Sequence, residues 1–189
     1  MSQWDLTAMF HFLTISNLNA SKGIFVLLDA CALLKDEGLS FHLHVVGAET
    51  AEISGEWFSK ELCQRSLQNH VTYHGRQYNQ DKENRFSEAA ALVHPTLNDC
   101  FPLVLLEAMQ HSLPIISTPV GAIPDMVREE ENGFLVPEND PAALAEAMRK
   151  LIEHPQLARD MGRRGYSRFM ENHTSNRFET NLLEILKNI

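Results

Sequence analysis

Pro95-Thr96-Leu97-Asn98-Asp99-Cys100-Phe101-Pro102-Leu103-Val104-Leu105-Leu106-Glu107-Ala108-Met109 joins three local signals in one stretch. The apolar run Ala91 to Pro95 reads as a buried strand, the aperiodic residues after it as a loop, and Pro102 to Gln110 as a helix. Proline suits a first helical turn, and it leaves the amides of Leu103 and Val104 without acceptors inside the helix. Free N–H groups at the positive end of a helix dipole favour an anion. Ligands of open α/β sheets bind beyond the carboxyl ends of the strands. This strand–loop–helix passage therefore suggests both the fold class and the place to look for chemistry.

Outward from this stretch, short apolar runs alternate with amphipathic ones, the rhythm of a parallel sheet covered by helices. Strands are expected at His11 to Ser16, Phe41 to Val46, Val71 to His74, Ala91 to Pro95, Pro114 to Ser117 and Phe134 to Val136. Between them, Ile24, Leu27, Leu28, Cys31 and Leu34 recur at helical spacing up to Gly38, and further helices are expected at Glu56 to Gln68 and Lys82 to Ala90. From Asp140, a capping residue followed by Pro141, the pattern turns wholly helical, with a stripe of Leu144, Met148, Leu151 and Ile152. Two more helices follow, broken near Gly162 to Gly165 or separated by Asn172 to Ser175. The last is expected to bury Phe178, Leu182, Ile185 and Leu186. The fold class is α/β: a Rossmann-like parallel sheet of about six strands flanked by helices, with a helical C-terminal segment. The whole chain, 1–189, reads as one domain.

Composition excludes several classes. Sixteen Lys+Arg against 25 Asp+Glu give a net charge of −9, which leaves no basic footprint for nucleic acid. Cys31, Cys63 and Cys100 are odd in number and form no CxxC pair, so reduced thiols and a cytoplasmic location are expected. No uninterrupted apolar run approaches the roughly 18 residues of a spanning helix, and Met1 to Phe10 lacks the pattern of a signal peptide.

The strand–loop rule selects Asn17 to Gly23, Gly47 to Ile53, Gly75 to Asn79, Pro95 to Leu103 and Thr118 to Ile123 as ligand loops. Within them Asp99 precedes the helix and Glu107 lies one turn inside it, on the face of Leu103. Carboxylates read sugar hydroxyls well. Glu107 suits the two hydroxyls of a ribose; Asp99, nearer the phosphate end, suits an attached sugar or its reacting centre.

Asp99 and Glu107 around Phe101-Pro102-Leu103 resemble the paired acids of glycosyltransferase family 4, whose nucleotide-binding C-terminal domains carry two acidic residues separated by seven others. Leu113-Pro114-Ile115-Ile116-Ser117-Thr118, Val120-Gly121-Ala122-Ile123-Pro124 and Asn132-Gly133-Phe134-Leu135-Val136-Pro137 continue the likeness. So do Asn17-Leu18 with Ser21-Lys22-Gly23, and Val71 to Gly75. It covers nearly the whole chain. The resemblance implies one half of a GT-B fold: a donor-binding C-terminal domain, with residues 1–10 as the tail of a connection and an N-terminal acceptor domain outside this chain. It implies a retaining reaction on a nucleotide-diphosphate sugar, UDP-, GDP- or ADP-linked, with no cofactor and no essential metal. The absence of an Asp-x-Asp pair agrees with that last point. Lys22 would neutralise the diphosphate, Gly75 and Arg76 would lie along the base, and Glu107 would take the ribose. Asp99 and the backbone of Cys100, Phe101, Leu103 and Val104 would hold sugar and phosphate. Membrane contact would come only through the other domain, and the final helix, Thr174 to Ile189, would cross back to support it. Two positions depart from the family pattern: Asp99 stands where Glu is usual, and Asn17 where an Arg is usual. Asn lacks the fork that grips a diphosphate bidentately.

Other residues have competing readings. His42 and His44 share one face of a strand, as metal ligands do, but no third ligand is evident nearby. His74 and His111 fit structural hydrogen bonding better than base catalysis, and Cys100 lacks the relay a nucleophile needs. Arg163, Arg164 and Arg168 read as a solvated helix face. The competing functions are a non-catalytic binding module that kept the fold but lost the donor, and another GT-B enzyme such as a nucleotide-sugar epimerase.

Overall fold

In three adjacent interior strands, neighbouring apolar residues point to opposite faces. Phe12 and Leu13, Leu92 and Val93, and Ile115 and Ile116 each send one side chain into each of two separate core clusters. A sheet buried on both faces needs such continuous apolar runs, and parallel strands with helical crossovers supply the cover. The computed structural model describes residues 9–187. Its sheet comprises β1 (Phe10–Ile15), β2 (Phe41–Val46), β3 (Val71–Tyr73), β4 (Ala91–His94), β5 (Ile115–Ser117) and β6 (Gly133–Leu135). All pairings are parallel and the order is β3-β2-β1-β4-β5-β6. The register pairs Leu13 with His44 on one side and with Leu92 on the other.

Helices α1 (Ile24–Asp36), α2 (Gly55–Gln64) and α6 (Pro141–Glu153) cover one face, with Leu28, Phe58, Leu144 and Met148 packed against Phe12, Phe41 and Val93. Helices α3 (Asn79–Glu88), α4 (Leu103–Gln110) and the short α5 (Ile123–Met126) cover the other, through Phe86, Leu105, Met109 and Met126. Asp140 caps α6 by accepting a hydrogen bond from the Ala143 amide at 2.9 Å, as its sequence position requires. Among the described residues no helix is long and apolar enough to cross a membrane.

The six expected strands form, with boundaries shifted by at most one residue. Helix α2 ends four residues early, at Gln64, because Ser66 adopts a left-handed φ of 56° and turns the chain into Leu67. Helix α3 starts three residues early, and α4 begins at Leu103 with Pro102 as its cap. Helix α7 (Pro155–Asn172) runs unbroken through Gly162 and Gly165, and the separation from α8 (Ser175–Lys187) falls at His173 and Thr174. Gly162 is a packing residue: a Cβ there would stand 1.9 Å from the Ser112 carbonyl oxygen.

Two expectations about side chains are corrected. Leu182 and Leu186 of α8 are exposed, at 42% and 59%, because no described element lies against their stripe; the side chains of Phe178 and Ile185 lie outside the described residues. Of the three arginines read as a solvated face, Arg163 pairs, among the described residues, with its helix neighbour Asp160. Arg164 instead donates to the Glu130 and Glu131 carbonyls, and Arg168 to those of Asp125 and Met126. These two clamp α7 onto the segment between β5 and β6, with Arg168 bonding carbonyls at the end of α5.

Candidate functional site

The strand order changes direction between β1 and β4, so the loops after these strands diverge and leave a crevice at the carboxyl edge. Backbone hydrogen bonds lace the five loops together. Leu18 N donates to Ala48 O at 2.8 Å, Gly47 N to Gly75 O at 2.9 Å, Leu97 N to Ser21 O at 2.8 Å, and Ala122 N to Cys100 O at 2.9 Å. The hydroxyl of the buried Thr118 adds a bond to the Thr96 carbonyl. Side chains in these loops thus sit on one rigid rim.

Lys22 ends a short 3-10 turn, Ala20–Lys22, started by Asn19, whose side chain accepts the Ser21 amide at 2.8 Å. The turn aims the Lys22 ammonium across the crevice to Asp99 Oδ2 at 2.8 Å and the Asn98 carbonyl at 3.0 Å. The same Asp99 oxygen lies 3.3 Å from Nε2 of His94, the last residue of β4 and only 3% exposed. Burial raises the Asp99 carboxyl, but the Lys22 ammonium and the His94 hydrogen bond outweigh it and hold the group below the usual carboxylate range. Burial lowers His94 more than Asp99 raises it, so a neutral imidazole donates to an ionised carboxylate.

Pro102 caps α4 in an extended conformation, φ −73° and ψ 106°, and the first in-turn bond runs from Leu105 N to Pro102 O at 3.1 Å. The amides of Leu103 and Val104, in the first turn of α4, have no acceptor among the described residues. Cys100, Phe101 and Leu103 around them are exposed. Further along α4, Glu107 accepts two hydrogen bonds from Lys82 of α3, at 2.6 and 2.7 Å. Beside that pair, His111 at the end of α4 stacks on Phe86 and meets Glu83 at 3.0 Å, which fastens α3 to α4.

Lys22 and Asp99 are therefore brought together at the crevice, while Glu107, four residues beyond Leu103 on α4, pairs with Lys82 and lines a recess with Leu106, Gln110, Phe169 and His173. Arg76 lies 5.6 Å from the Tyr78 ring centre beyond Gly75, on the β3 side. Asn17 does not reach Lys22 or Asp99; its Oδ1 accepts the Ala48 amide at 3.3 Å and joins the loops after β1 and β2. Two members of the site were not read from the sequence. His94 is marked only by closing a strand at the ligand edge. Lys82 is marked only as a cation near the start of α3, where the helix dipole favours an anion.

His42 and His44 do share a face, and the structure gives them neighbours. His11 Nδ1 lies 3.0 Å from His44 Nε2, His44 Nδ1 lies 2.9 Å from His74 Nε2, and His42 bonds the Thr72 hydroxyl at 2.8 Å. Burial, followed by the mutual repulsion of the rings, pushes His44 down to about 4. The ring nitrogens of His11, His44 and His74 face one another in a hydrogen-bonded row. Among the described residues there is no group of three or more His, Cys, Asp or Glu arranged to hold a metal ion.

Known proteins share this framework. The D-rhamnosyltransferase WbpZ of Pseudomonas aeruginosa is 31% identical over 163 residues, which are 85% of this chain and 40% of that protein. Sucrose-phosphate synthase from Thermosynechococcus elongatus superimposes with a TM-score of 0.85 at 25% identity, over 98% of this chain and 46% of its own. HepE of Anabaena, solved in complex with UDP, gives 0.87 at 19% identity over 97% of this chain and half of its own, a likeness of fold. The chain spans about a third to two fifths of the length of the curated relatives it matches. The sequence pattern of the glycosyl transferases group 1 family matches residues 9–168, so the chain belongs to that family.

Proposed function

We propose that the chain is the donor-binding half of a retaining glycosyltransferase, which moves a hexose from a nucleotide-diphosphate sugar to an acceptor in glycan or cell-surface polysaccharide synthesis. One observation carries this reading. The free amides at the start of α4 stand between two carboxylates, Asp99 and Glu107, each held by a lysine from a different loop or helix. The diphosphate fits the Leu103 and Val104 amides and Lys22, with Cys100 and Phe101 shaping the loop around it. Glu107 suits the ribose diol, Asp99 the hydroxyls or reacting centre of the sugar, and Gly75 and Arg76 the base. Negative charge grows on the leaving diphosphate as the glycosidic bond breaks. An ammonium and aligned amides stabilise that charge without reorganising, so we assign neither cofactor nor essential metal. The acceptor and its polar groups are assigned to a partner domain working in the cytoplasm, through which any membrane contact would come.

The test is a ligand-observed NMR and calorimetric screen against UDP, GDP, ADP and their glucose, N-acetylglucosamine and mannose conjugates, UDP first because HepE holds it. We expect selective binding that Glu107→Ala abolishes; binding indifferent to Glu107→Ala overturns the assignment of the ribose. The hydrogen bond that commits Asn17 to the Ala48 amide favours one alternative, a module that kept the fold and lost the donor. Silence of the parent chain with affinity restored by Asn17→Arg is the result that would establish it.

A further inference from the structure

Both oxygens of Glu107 are already occupied. The Lys82 ammonium reaches them at 2.6 and 2.7 Å, a symmetric approach along the front of the carboxylate. A vicinal diol binds a carboxylate from the same side, one hydroxyl to each oxygen, so ammonium and diol compete for one position. The pair is also poorly placed for a purely structural role: its side chains are 25% and 38% exposed, and ion pairs of that exposure add little to folding. Lys82 further sits near the positive end of α3, where a cation is disfavoured without a compensating anion. The amides of Leu103 and Val104 lie about one helical turn, roughly 5 Å, from Glu107 along α4. That distance is within the swing of a lysine stem.

Resting on the reading that Glu107 takes the donor's ribose, we propose that Lys82 is a resident stand-in for the ribose diol. It holds Glu107 while the crevice is empty, is displaced when the diol arrives, and passes its ammonium to the incoming diphosphate. The exchange keeps the crevice neutral while empty, with Lys22 against Asp99 and Lys82 against Glu107, and frees one positive charge for the anionic ligand. It also makes Lys82 a specificity determinant. A nucleoside displaces the ammonium and gains nothing in return, whereas a nucleoside diphosphate recovers it.

The experiment compares uridine, guanosine and adenosine with UDP, GDP and ADP, by ligand-observed NMR titration of the parent chain, Lys82→Met, Lys82→Gln and Glu107→Ala. Thermal melts of each variant confirm folding, and the glutamine variant keeps a polar side chain should methionine disturb α3. In both Lys82 variants the nucleoside is expected to bind about threefold more tightly, because its competitor is gone. The preference for diphosphate over nucleoside is expected to fall about tenfold, because the phosphate loses a charged partner. The diphosphate should also show a shallower salt dependence. Nucleoside affinity that is unchanged or weaker in the Lys82 variants overturns the stand-in role while leaving the ribose assignment intact. Nucleoside affinity untouched by Glu107→Ala removes the ribose assignment itself, and the stand-in with it.

Discussion

Lys22 and Asp99 are 77 positions apart in the chain and 2.8 Å apart in the crevice. The ammonium is the chief group holding the Asp99 carboxyl below its usual range against the opposing effect of burial. Lys22→Met is therefore expected to move the Asp99 titration upward, read from its side-chain carboxyl carbon by NMR as pH is lowered; a midpoint that stays put would remove Lys22 from the crevice. Asp99 and Glu107 were legible in the sequence because their signal is local, two acids bracketing one loop and one helical turn. Lys82 was not, since its partner is 25 positions away and the contact exists only once α3 and α4 pack on the same face. His94 was hidden for a related reason: a histidine inside an apolar strand looks like core until the loop beyond it folds back and presents Asp99. Arg164 and Arg168 misled in the other direction, because helix periodicity reports which residues share a face and is silent on the carbonyls waiting opposite.

Elements were easier to foresee than their ends. The apolar run of Ala91, Leu92 and Val93 marks a strand covered on both faces, the apolar residues alternating with His42 and His44 mark β2, and the helical spacing of Ile24 to Leu34 marks α1. Ends depend on single residues with unusual torsions, such as Ser66, which no periodicity announces. The exposed Leu182 and Leu186 show the converse, an amphipathic stripe in α8 with no described element against it. The start of α1 offers a controlled test. Gly23 and Gly38 have nearly the same left-handed φ, 72° and 76°, but a Cβ on Gly23 would lie 1.9 Å from the Pro95 carbonyl oxygen, whereas Gly38 has nothing within 4 Å. Gly38→Ala should cost about 1 kcal/mol, the conformational penalty alone. Gly23→Ala should cost about 3 kcal/mol or more, since the loop after β4 must also move. Urea melts measure both, and equal losses would mean that the junction of α1 with that loop yields freely.

For the molecule as a whole, the histidines beneath α3 couple folding to acidity. Burial lowers His11, His42, His44 and His74, with Glu88 opposing at His11 and His74, Arg85 reinforcing at His44 and His74, and His70 reinforcing at His42. A histidine whose folded value lies below its unfolded 6.5 binds fewer protons when folded, so stability rises with pH across the interval between the two values. Their contribution is complete above 6.5 and drains away as pH falls toward about 4, the folded value of His44. The urea midpoint is accordingly expected to decline through that window, with a shallower decline in His44→Asn; a pH dependence unchanged by His44→Asn would mean that folding leaves the titration of that ring where it is in the unfolded chain.

The row His11, His44, His74 carries one more consequence, which concerns where its hydrogens sit. Each nitrogen–nitrogen contact has room for a single proton, and a neutral His44 has one to give. If His44 donates from Nε2 toward His11, its Nδ1 must accept from Nε2 of His74, and all three rings become Nε2–H tautomers. If it donates from Nδ1, all three become Nδ1–H tautomers. No mixed arrangement satisfies both contacts, so three rings, on β1, on β2 and just past the end of β3, share one binary choice of polarity, and reversing any one of them reverses the row.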